Sequence, residues 1–115
     1  VHRDLKPSNI LIDAADDACV ADFGLARSAS AADLTQIGGV MGTPLYMAPE
    51  QAEDPRAVDE RADIYSFGAT FYHALTGAPP FGGETWFTIL LNHKTAPLVT
   101  PQARNPALGD RLNRC

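Results

Sequence analysis

The chain contains little cysteine and no long apolar run. Its two cysteines, Cys19 and Cys115, are far apart in sequence and form no C-x-x-C pair. This spacing favours two free thiols in a reducing compartment over a disulfide. No stretch approaches the roughly 18 consecutive apolar residues that a membrane-spanning helix needs, and no signal peptide opens the chain. We therefore expect a cytoplasmic location and no membrane contact from this segment, so that any membrane anchor would belong to other parts of a larger protein.

Positive charge is scarce as well. The chain has 9 Lys and Arg residues against 14 Asp and Glu residues, which gives a formal net charge of −5. This balance argues against a surface that binds nucleic acid or anionic membranes. With 115 residues, 45% hydrophobic and 20% charged, the chain has the composition of at most one ordinary globular domain. Any bound phosphate must therefore be neutralised by local cations or by metal ions.

The two ends of the chain suggest a fragment. The sequence starts without methionine, with a polar loop directly at Val1, and Cys115 ends what looks like the start of a helix. We expect these residues to be part of a larger protein, and a processed natural chain is the alternative.

Two short apolar runs predict a β-hairpin. Ile10–Ile12 and Ala18–Ala21 have the length and residue types of strands, and an acidic, turn-rich segment separates them. The hairpin would bring Asp4 and Asn9, which precede it, close to Asp22, which follows it.

The longest helix signal covers Asp59–Thr76. Its apolar residues recur at the i, i+3, i+4, i+7 spacing of a buried stripe. Asp59 suits the N-terminal end of the helix, and Gly77 suits the position after its C-terminus. We expect burial on most sides, through Ile64, Phe67, Gly68, Phe71 and Leu75, with Tyr65 and Tyr72 widening the stripe.

Further elements are predicted toward the end of the chain. Glu84–His93 has the apolar spacing of a second helix, and residues 95–105 predict a proline-containing loop. Pro106 fits the first turn of another helix. The predicted fold class is therefore mainly α with a small β-hairpin.

The first twelve residues carry the candidate chemistry. Val1–Ile12 contains the pattern H-R-D-x-K-x-x-N, and Asp22 opens the tripeptide D-F-G. An isolated Asp–Lys pair is usually a surface ion pair of little energetic value, but the two motifs together are far more specific. They resemble the catalytic loop and the metal-binding motif of protein kinases.

The resemblance implies a role for each polar residue of these motifs. Asp4 would position and deprotonate the substrate hydroxyl, and Lys6 would steady the transferred phosphoryl group of ATP. Asn9 and Asp22 offer hard oxygen ligands and would hold Mg²⁺, with Mn²⁺ as the alternative metal. Thr43 would hydrogen-bond the catalytic Asp and Lys.

Five further residues would support this site. We interpret His2 as a packed, hydrogen-bonded residue and not as a general base. The resemblance places it beneath Phe23, which is followed by the conformationally free Gly24. Asp63 would hold the backbone of the catalytic loop, and Glu50 would close the A-P-E motif of the activation segment.

The segment Gly42–Glu50 resembles the substrate-docking loop of protein kinases, and Lys6-Pro7-Ser8 is the Ser/Thr-kinase version of the catalytic loop. The resemblance therefore implies a protein Ser or Thr as phosphoryl acceptor and ATP as donor. It also implies the C-terminal-lobe portion of the α+β protein-kinase-like fold. The overall residue pattern most resembles bacterial protein kinases of eukaryotic type. The oligomeric state stays open.

Regulation by phosphorylation is a further expectation from the resemblance. Residues 28–42 are small and polar and predict a long loop, with a disordered linker as the alternative. Arg3 and Arg27 would bind a phosphate on this loop through charge-assisted hydrogen bonds. Thr35 is the favoured acceptor, and an ordinary solvated hydroxyl is the alternative.

Several kinase parts are missing from these 115 residues. The glycine-rich loop over ATP, the strand lysine and its helix glutamate do not occur in the sequence. We therefore expect the chain alone to be inactive and its long helix to expose apolar faces. A pseudokinase-like binding scaffold and a small-molecule kinase are the competing readings. His73 and His93 lack metal-like neighbours and receive no predicted chemistry.

Overall fold

The computed structural model describes residues 1–21, 44–54 and 56–109. These residues form a two-stranded antiparallel sheet followed by four α-helices. Six of the residues predicted to serve the site lie outside the described ranges, as does the predicted loop 28–42: Asp22, Phe23, Gly24, Arg27, Thr35 and Thr43.

The predicted hairpin is confirmed. Strand β1, Ile10–Ile12, pairs with β2, Ala18–Val20, and Ile10 lies opposite Val20. The connecting turn is closed by Asp13, whose Oδ1 accepts the backbone N–H groups of Ala15 at 2.8 Å and Asp17 at 3.0 Å. Such local carboxylate bonds are a known turn-forming device.

The long helix is also confirmed, with boundaries close to those predicted. We call the first α-helix among the described residues α1, Pro49–Glu53, and the long one α2, Glu60–Thr76. Asp59 caps α2, since its carboxylate accepts the N–H of Arg61 at 2.9 Å. Gly77 ends the helix in the left-handed conformation, with φ of 76°.

The buried face of α2 is not the predicted one. The apolar stripe is open, with Ile64 69%, Phe67 55% and Phe71 48% exposed. It lines a groove of about 730 Å³ together with Leu98 and Pro101. This agrees with the expectation that the long helix exposes apolar faces. The opposite, small-residue face is buried instead, because small side chains let other segments approach closely. Its buried small residues are Ala62, Ser66, Ala69 and Thr70, whereas Tyr72, which widens the predicted stripe, is buried as predicted.

The main packed cluster lies between α1 and α2. Ala48, Val58 and Ala62 form its buried centre, and Tyr65 packs against them. Pro44, before α1, is completely enclosed. The segment that the sequence assigned to substrate docking is therefore part of the core.

The later helices differ from the predictions in their limits. Helix α3 spans Trp86–Thr95, so it begins and ends two residues later than predicted. Thr85 caps its N-terminus. A short helix α4, Pro101–Arg104, occupies part of the predicted loop and is capped by Thr100. Residues 106–109 form a turn, so the helix predicted from Pro106 does not start there. Asn105 accepts the N–H of Ala107 at 3.3 Å, so its side chain closes a turn at Pro106 and not the start of a helix.

Candidate catalytic loop and its supports

Asp63 of α2 holds the loop that precedes the hairpin. Its Oδ2 accepts the backbone N–H of His2 at 2.7 Å, and its Oδ1 accepts the N–H of Arg3 at 2.8 Å. Arg3 has a positive φ of 65°, which is uncommon for a residue with a side chain. One carboxylate on the first turn of a helix therefore fixes two consecutive backbone donors at a bend.

Asp4, Lys6 and Asn9 form a connected cluster. Lys6 Nζ lies 3.0 Å from Asp4 Oδ2. Asn9 Nδ2 donates to the backbone carbonyl of Asp4 at 2.8 Å and to Asp4 Oδ2 at 3.2 Å. Since these bonds fix the amide orientation, Asn9 Oδ1 is the atom left to act as a ligand for a cation.

The accessibility of the cluster differs between its members. The side chain of Asp4 is 40% exposed, that of Lys6 is 22% exposed, and Asn9 is buried. Asp4 can therefore be reached by an incoming hydroxyl group, while Asn9 is held rigidly beneath it. A 3₁₀ turn over Pro7–Asn9 leads directly from Lys6 into β1 and sets this arrangement.

His2 connects the loop to the far end of the hairpin. Its Nδ1 accepts the N–H of Asp4 at 3.3 Å, and its Nε2 lies 3.1 Å from the carbonyl oxygen of Ala21. Because Nδ1 accepts, Nε2 carries the proton and donates, which is the neutral form of the ring. The N–H of Ala21 in turn donates to the carbonyl of Asn9 at 2.7 Å. The hairpin therefore brings the residue before Asp22 next to Asn9.

Gln51 ties the loop to α1, a link that sequence reasoning missed. Its Oε1 accepts the N–H of Ala48 at 3.1 Å, and its Nε2 donates to the carbonyl of Arg3 at 3.1 Å. The signal available was a Gln at the third helical position, where such residues bond back to the cap. Its contact with Arg3, 48 residues away, has no local signature.

Two histidines without predicted chemistry also have defined partners. His73 Nδ1 lies 2.6 Å from the hydroxyl of Tyr46, and His93 Nδ1 lies 2.6 Å from the hydroxyl of Tyr65. Burial, assisted by the negative charge of Glu50, raises the pKa of Tyr65 to about 12. Tyr65 therefore stays protonated at physiological pH.

Glu50 and the predicted metal ligand Asn9 both lie within the described residues. Glu50 is exposed and forms no ion pair with any other residue of the described ranges. Within the same ranges, no group of three or more His, Cys, Asp or Glu side chains could hold a metal ion. Asn9 is the predicted ligand that the structure positions, because Asp22 is outside the described residues. No helix in the described part of the chain is long and apolar enough to cross a membrane.

Comparison with known proteins agrees with this geometry. The family described as protein kinase domain matches residues 1–106. The chain is 44% identical over 115 residues to the DNA damage-responsive serine/threonine-protein kinase RqkA of Deinococcus radiodurans, covering 99% of the chain and 17% of that relative. It is 41% identical to the serine/threonine-protein kinase PknB of Mycobacterium tuberculosis, covering 98% of the chain and 18% of that relative.

The similarity is confined to a limited part of these relatives. The chain spans less than a fifth of RqkA and PknB. It is also 48% identical over 89 residues to the serine/threonine-protein kinase PknL of Mycobacterium tuberculosis, covering 77% of the chain and 22% of that relative. The match to the family nevertheless extends over nearly all of the chain, from the catalytic-loop motif at its start to residue 106. The chain therefore belongs to the protein kinase domain family.

Proposed function

We propose that the protein containing this chain transfers the γ-phosphoryl group of ATP to Ser or Thr hydroxyls of a protein substrate. The observation that carries this proposal is the cluster of Asp4, Lys6 and Asn9, joined by contacts of 2.8 to 3.2 Å. The names of the relatives, all serine/threonine-protein kinases, support the same choice of acceptor.

The chemistry follows from the charges in the cluster. Asp4 accepts the hydrogen bond of the incoming hydroxyl and takes its proton as the oxygen attacks the γ-phosphorus, while the bond from this phosphorus to the bridging oxygen breaks and ADP leaves. Lys6, next to Asp4, places a positive charge near the negatively charged oxygens of the phosphoryl group during its transfer. The hydrogen bonds from Asn9 to Asp4 keep the carboxylate in one orientation, so little reorganisation is needed during the reaction.

We propose Mg²⁺, or Mn²⁺, and ATP as the cofactors. A metal bound here would neutralise the phosphates. Asn9 Oδ1 and the carboxylate of Asp22 would hold it, and an amide oxygen with a carboxylate oxygen is a donor set that suits Mg²⁺. The fit rests on the position of Asn9, whose amide nitrogen is already occupied by Asp4.

We further propose that these residues are the larger-lobe portion of the kinase fold. The glycine-rich loop and strand lysine that grip ATP in this family do not occur in the 115 residues, so the chain alone would not transfer phosphate. Phosphorylation of Thr35 would order the activation segment through Arg3 and Arg27.

The substitution Asp4→Asn in the full-length protein tests the proposal. Transfer of labelled phosphate from ATP to the protein itself and to a generic phosphoacceptor protein would be measured. Loss of the general base should lower kcat by about 10²- to 10⁴-fold, while ATP binding persists. Asp17→Asn, on the exposed hairpin turn, is the matched control and should keep full activity. Near-normal turnover of Asp4→Asn would contradict the assignment.

A further inference from the structure

His93 of α3 lies where the long helix and the docking segment meet. It is only 8% exposed, and its ring packs against Phe81 at a centroid distance of 5.0 Å and against Tyr65 at 5.6 Å. A polar ring buried in this way needs partners for both nitrogens. None of the contacts of His93 involves Asp4, Lys6 or Asn9, so the proposed chemistry leaves this residue unexplained.

The hydroxyl of Tyr65 fixes the proton on the His93 ring. Since the pKa of Tyr65 is raised to about 12, the hydroxyl is a hydrogen-bond donor at physiological pH. Its oxygen lies 2.6 Å from His93 Nδ1, and we assign the hydroxyl as the donor because the backbone carbonyls of Leu45 and Pro44 that act on the same ring can only accept a proton from it. Burial lowers the pKa of His93, which favours the neutral ring. A neutral ring whose Nδ1 accepts must carry its proton on Nε2.

Backbone groups of the docking segment act on the His93 ring. Among the described residues, Nε2 is buried and has no partner at full hydrogen-bond geometry. The backbone carbonyls of Leu45 and Pro44 are the polar groups that act on the ring, and they raise its pKa against the larger lowering by burial. Backbone carbonyls at the start of this segment are therefore the candidate acceptors for the N–H of the His93 ring.

The next residue of the segment bonds to a different histidine. Tyr46 is buried, and its hydroxyl lies 2.6 Å from Nδ1 of His73 on α2. The two rings are stacked, with an interplanar angle of 14° and centroids 5.9 Å apart. The segment is thus bonded to His73 on α2, while His93 on α3 bonds Tyr65, which packs against the buried cluster that contains Ala48 of the same segment.

We propose that His93, oriented by Tyr65, is a positioning residue that sets the backbone of residues 44–46 and thereby the affinity for the protein substrate. This role rests on the proposed function, since residues 42–50 dock a substrate only if the protein is a kinase. The pair acts on substrate binding and not on the chemical step, because it contacts the docking segment and not the catalytic cluster.

Three variants of the full-length protein test this role. His93→Leu removes both nitrogen functions, Tyr65→Phe removes only the hydroxyl that orients the ring, and His93→Gln keeps one acceptor and one donor. Steady-state kinetics would give kcat, the KM for ATP and the KM for a protein substrate of each variant. Leu91→Met, at an exposed position of the same helix, is the control.

The expected pattern is a selective loss of substrate affinity. His93→Leu and Tyr65→Phe should raise the KM for the protein substrate by roughly tenfold, the effect of one lost hydrogen bond. Their kcat and their KM for ATP should change by less than about twofold. His93→Gln should recover most of the affinity, and backbone amides of residues 44–54 should exchange hydrogen faster in His93→Leu than in His93→Gln.

Other outcomes would overturn the role. An unchanged KM for the protein substrate in Tyr65→Phe and His93→Leu, with Asp4→Asn still inactive, would refute the role of His93 and leave the kinase proposal intact. Equal losses in kcat and in both KM values would indicate general structural damage and would also refute it. If His93→Leu fails to fold, Tyr65→Phe decides, since it removes a single hydroxyl. Absence of phosphate transfer in the unmodified full-length protein would instead refute the proposed function itself.

Discussion

The carboxylate of Asp63 accepts a hydrogen bond from the backbone N–H of Arg3 at 2.8 Å, across 60 residues of sequence. Its other oxygen accepts the N–H of His2 at 2.7 Å. The loop that carries Asp4 is thus attached to the first turn of the longest helix. Because Arg3 has a positive φ, the attachment stabilises a backbone conformation that the chain would otherwise rarely adopt.

Replacement of Asp63 by Asn should therefore weaken both the fold and the activity. An amide retains one acceptor, but its NH₂ group would face a backbone N–H. Leaving that donor unsatisfied should cost about 1–3 kcal/mol in the free energy of unfolding. Urea denaturation and kcat of the full-length protein would measure the two effects. Glu60→Gln, an exposed change on the same helical turn, should alter neither, and equal behaviour of the two variants would contradict the role of Asp63.

Asn9 should control the metal requirement of the protein. Asn9→Ala removes the proposed oxygen ligand and the two hydrogen bonds to Asp4. We expect the Mg²⁺ concentration for half-maximal activity to rise by at least about tenfold, since even indirect supports of metal sites have effects of this size. A Mg²⁺ titration of ATP-dependent transfer measures this shift.

Asn92→Ala provides the matched control for Asn9. Its side chain, on α3, donates to the carbonyl of Gly82 at 2.7 Å. This bond involves none of the residues Asp4, Lys6 and Asn9. The Mg²⁺ requirement of this variant should be unchanged. A shift of the same size in both variants would mean that Asn9 acts only through general stability.

Gly77 should be sensitive to substitution for a backbone reason alone. A Cβ atom added there meets nothing within 4 Å, yet φ is +76°. Gly77→Ala should therefore lower the free energy of unfolding by about 1–2 kcal/mol, the cost of the left-handed conformation for a residue with a side chain. Gly77→Asn should lose less, because Asn tolerates this conformation. Thermal denaturation would rank the three proteins, and equal stability of Gly77→Ala and the parent would be inconsistent with this conformation.

Local sequence signals predicted the helices and strands well, but they predicted poorly which faces of these elements are buried. The hairpin and α2 follow from apolar runs, from Asp59 as cap and from Gly77 as terminator, all of which act within a few residues. The buried side of α2 was predicted wrongly, because the prediction followed the spacing of the large apolar residues. The close contact is made instead by small residues such as Ala62. Which face is covered depends on the rest of the fold.

Some of the site could also be predicted from motifs, and some could not. Asp4, Lys6 and Asn9 come from a single short pattern, and their proximity follows from the 3₁₀ turn between them. The contacts of Gln51 and His93 join segments 48 and 28 residues apart. No periodicity or spacing encodes such pairs, so a sequence without aligned relatives gives no indication of them.

His93 should make the docking segment sensitive to mild acid. Burial lowers its pKa below the ordinary value of 6.5, with the carbonyls of Leu45 and Pro44 opposing. Between the lowered pKa and 6.5, the unfolded chain binds more protons than the folded one. The stabilisation by neutral His93 is therefore complete above about pH 6.5 and is lost as the pH falls through the lowered pKa of the folded state.

Hydrogen exchange would detect this loss at the segment itself. After correction for intrinsic rates, backbone amides of residues 44–54 should be less protected at about pH 5.5 than at about pH 7.5, because below about pH 6.5 the opened segment binds the His93 proton more tightly than the folded one. Tyr65 does not titrate in this range, because its pKa is about 12. His93→Gln cannot titrate at position 93 and should lose most of the pH dependence. If it keeps the full dependence, a group other than His93 causes it, and the predicted acid sensitivity of His93 is wrong.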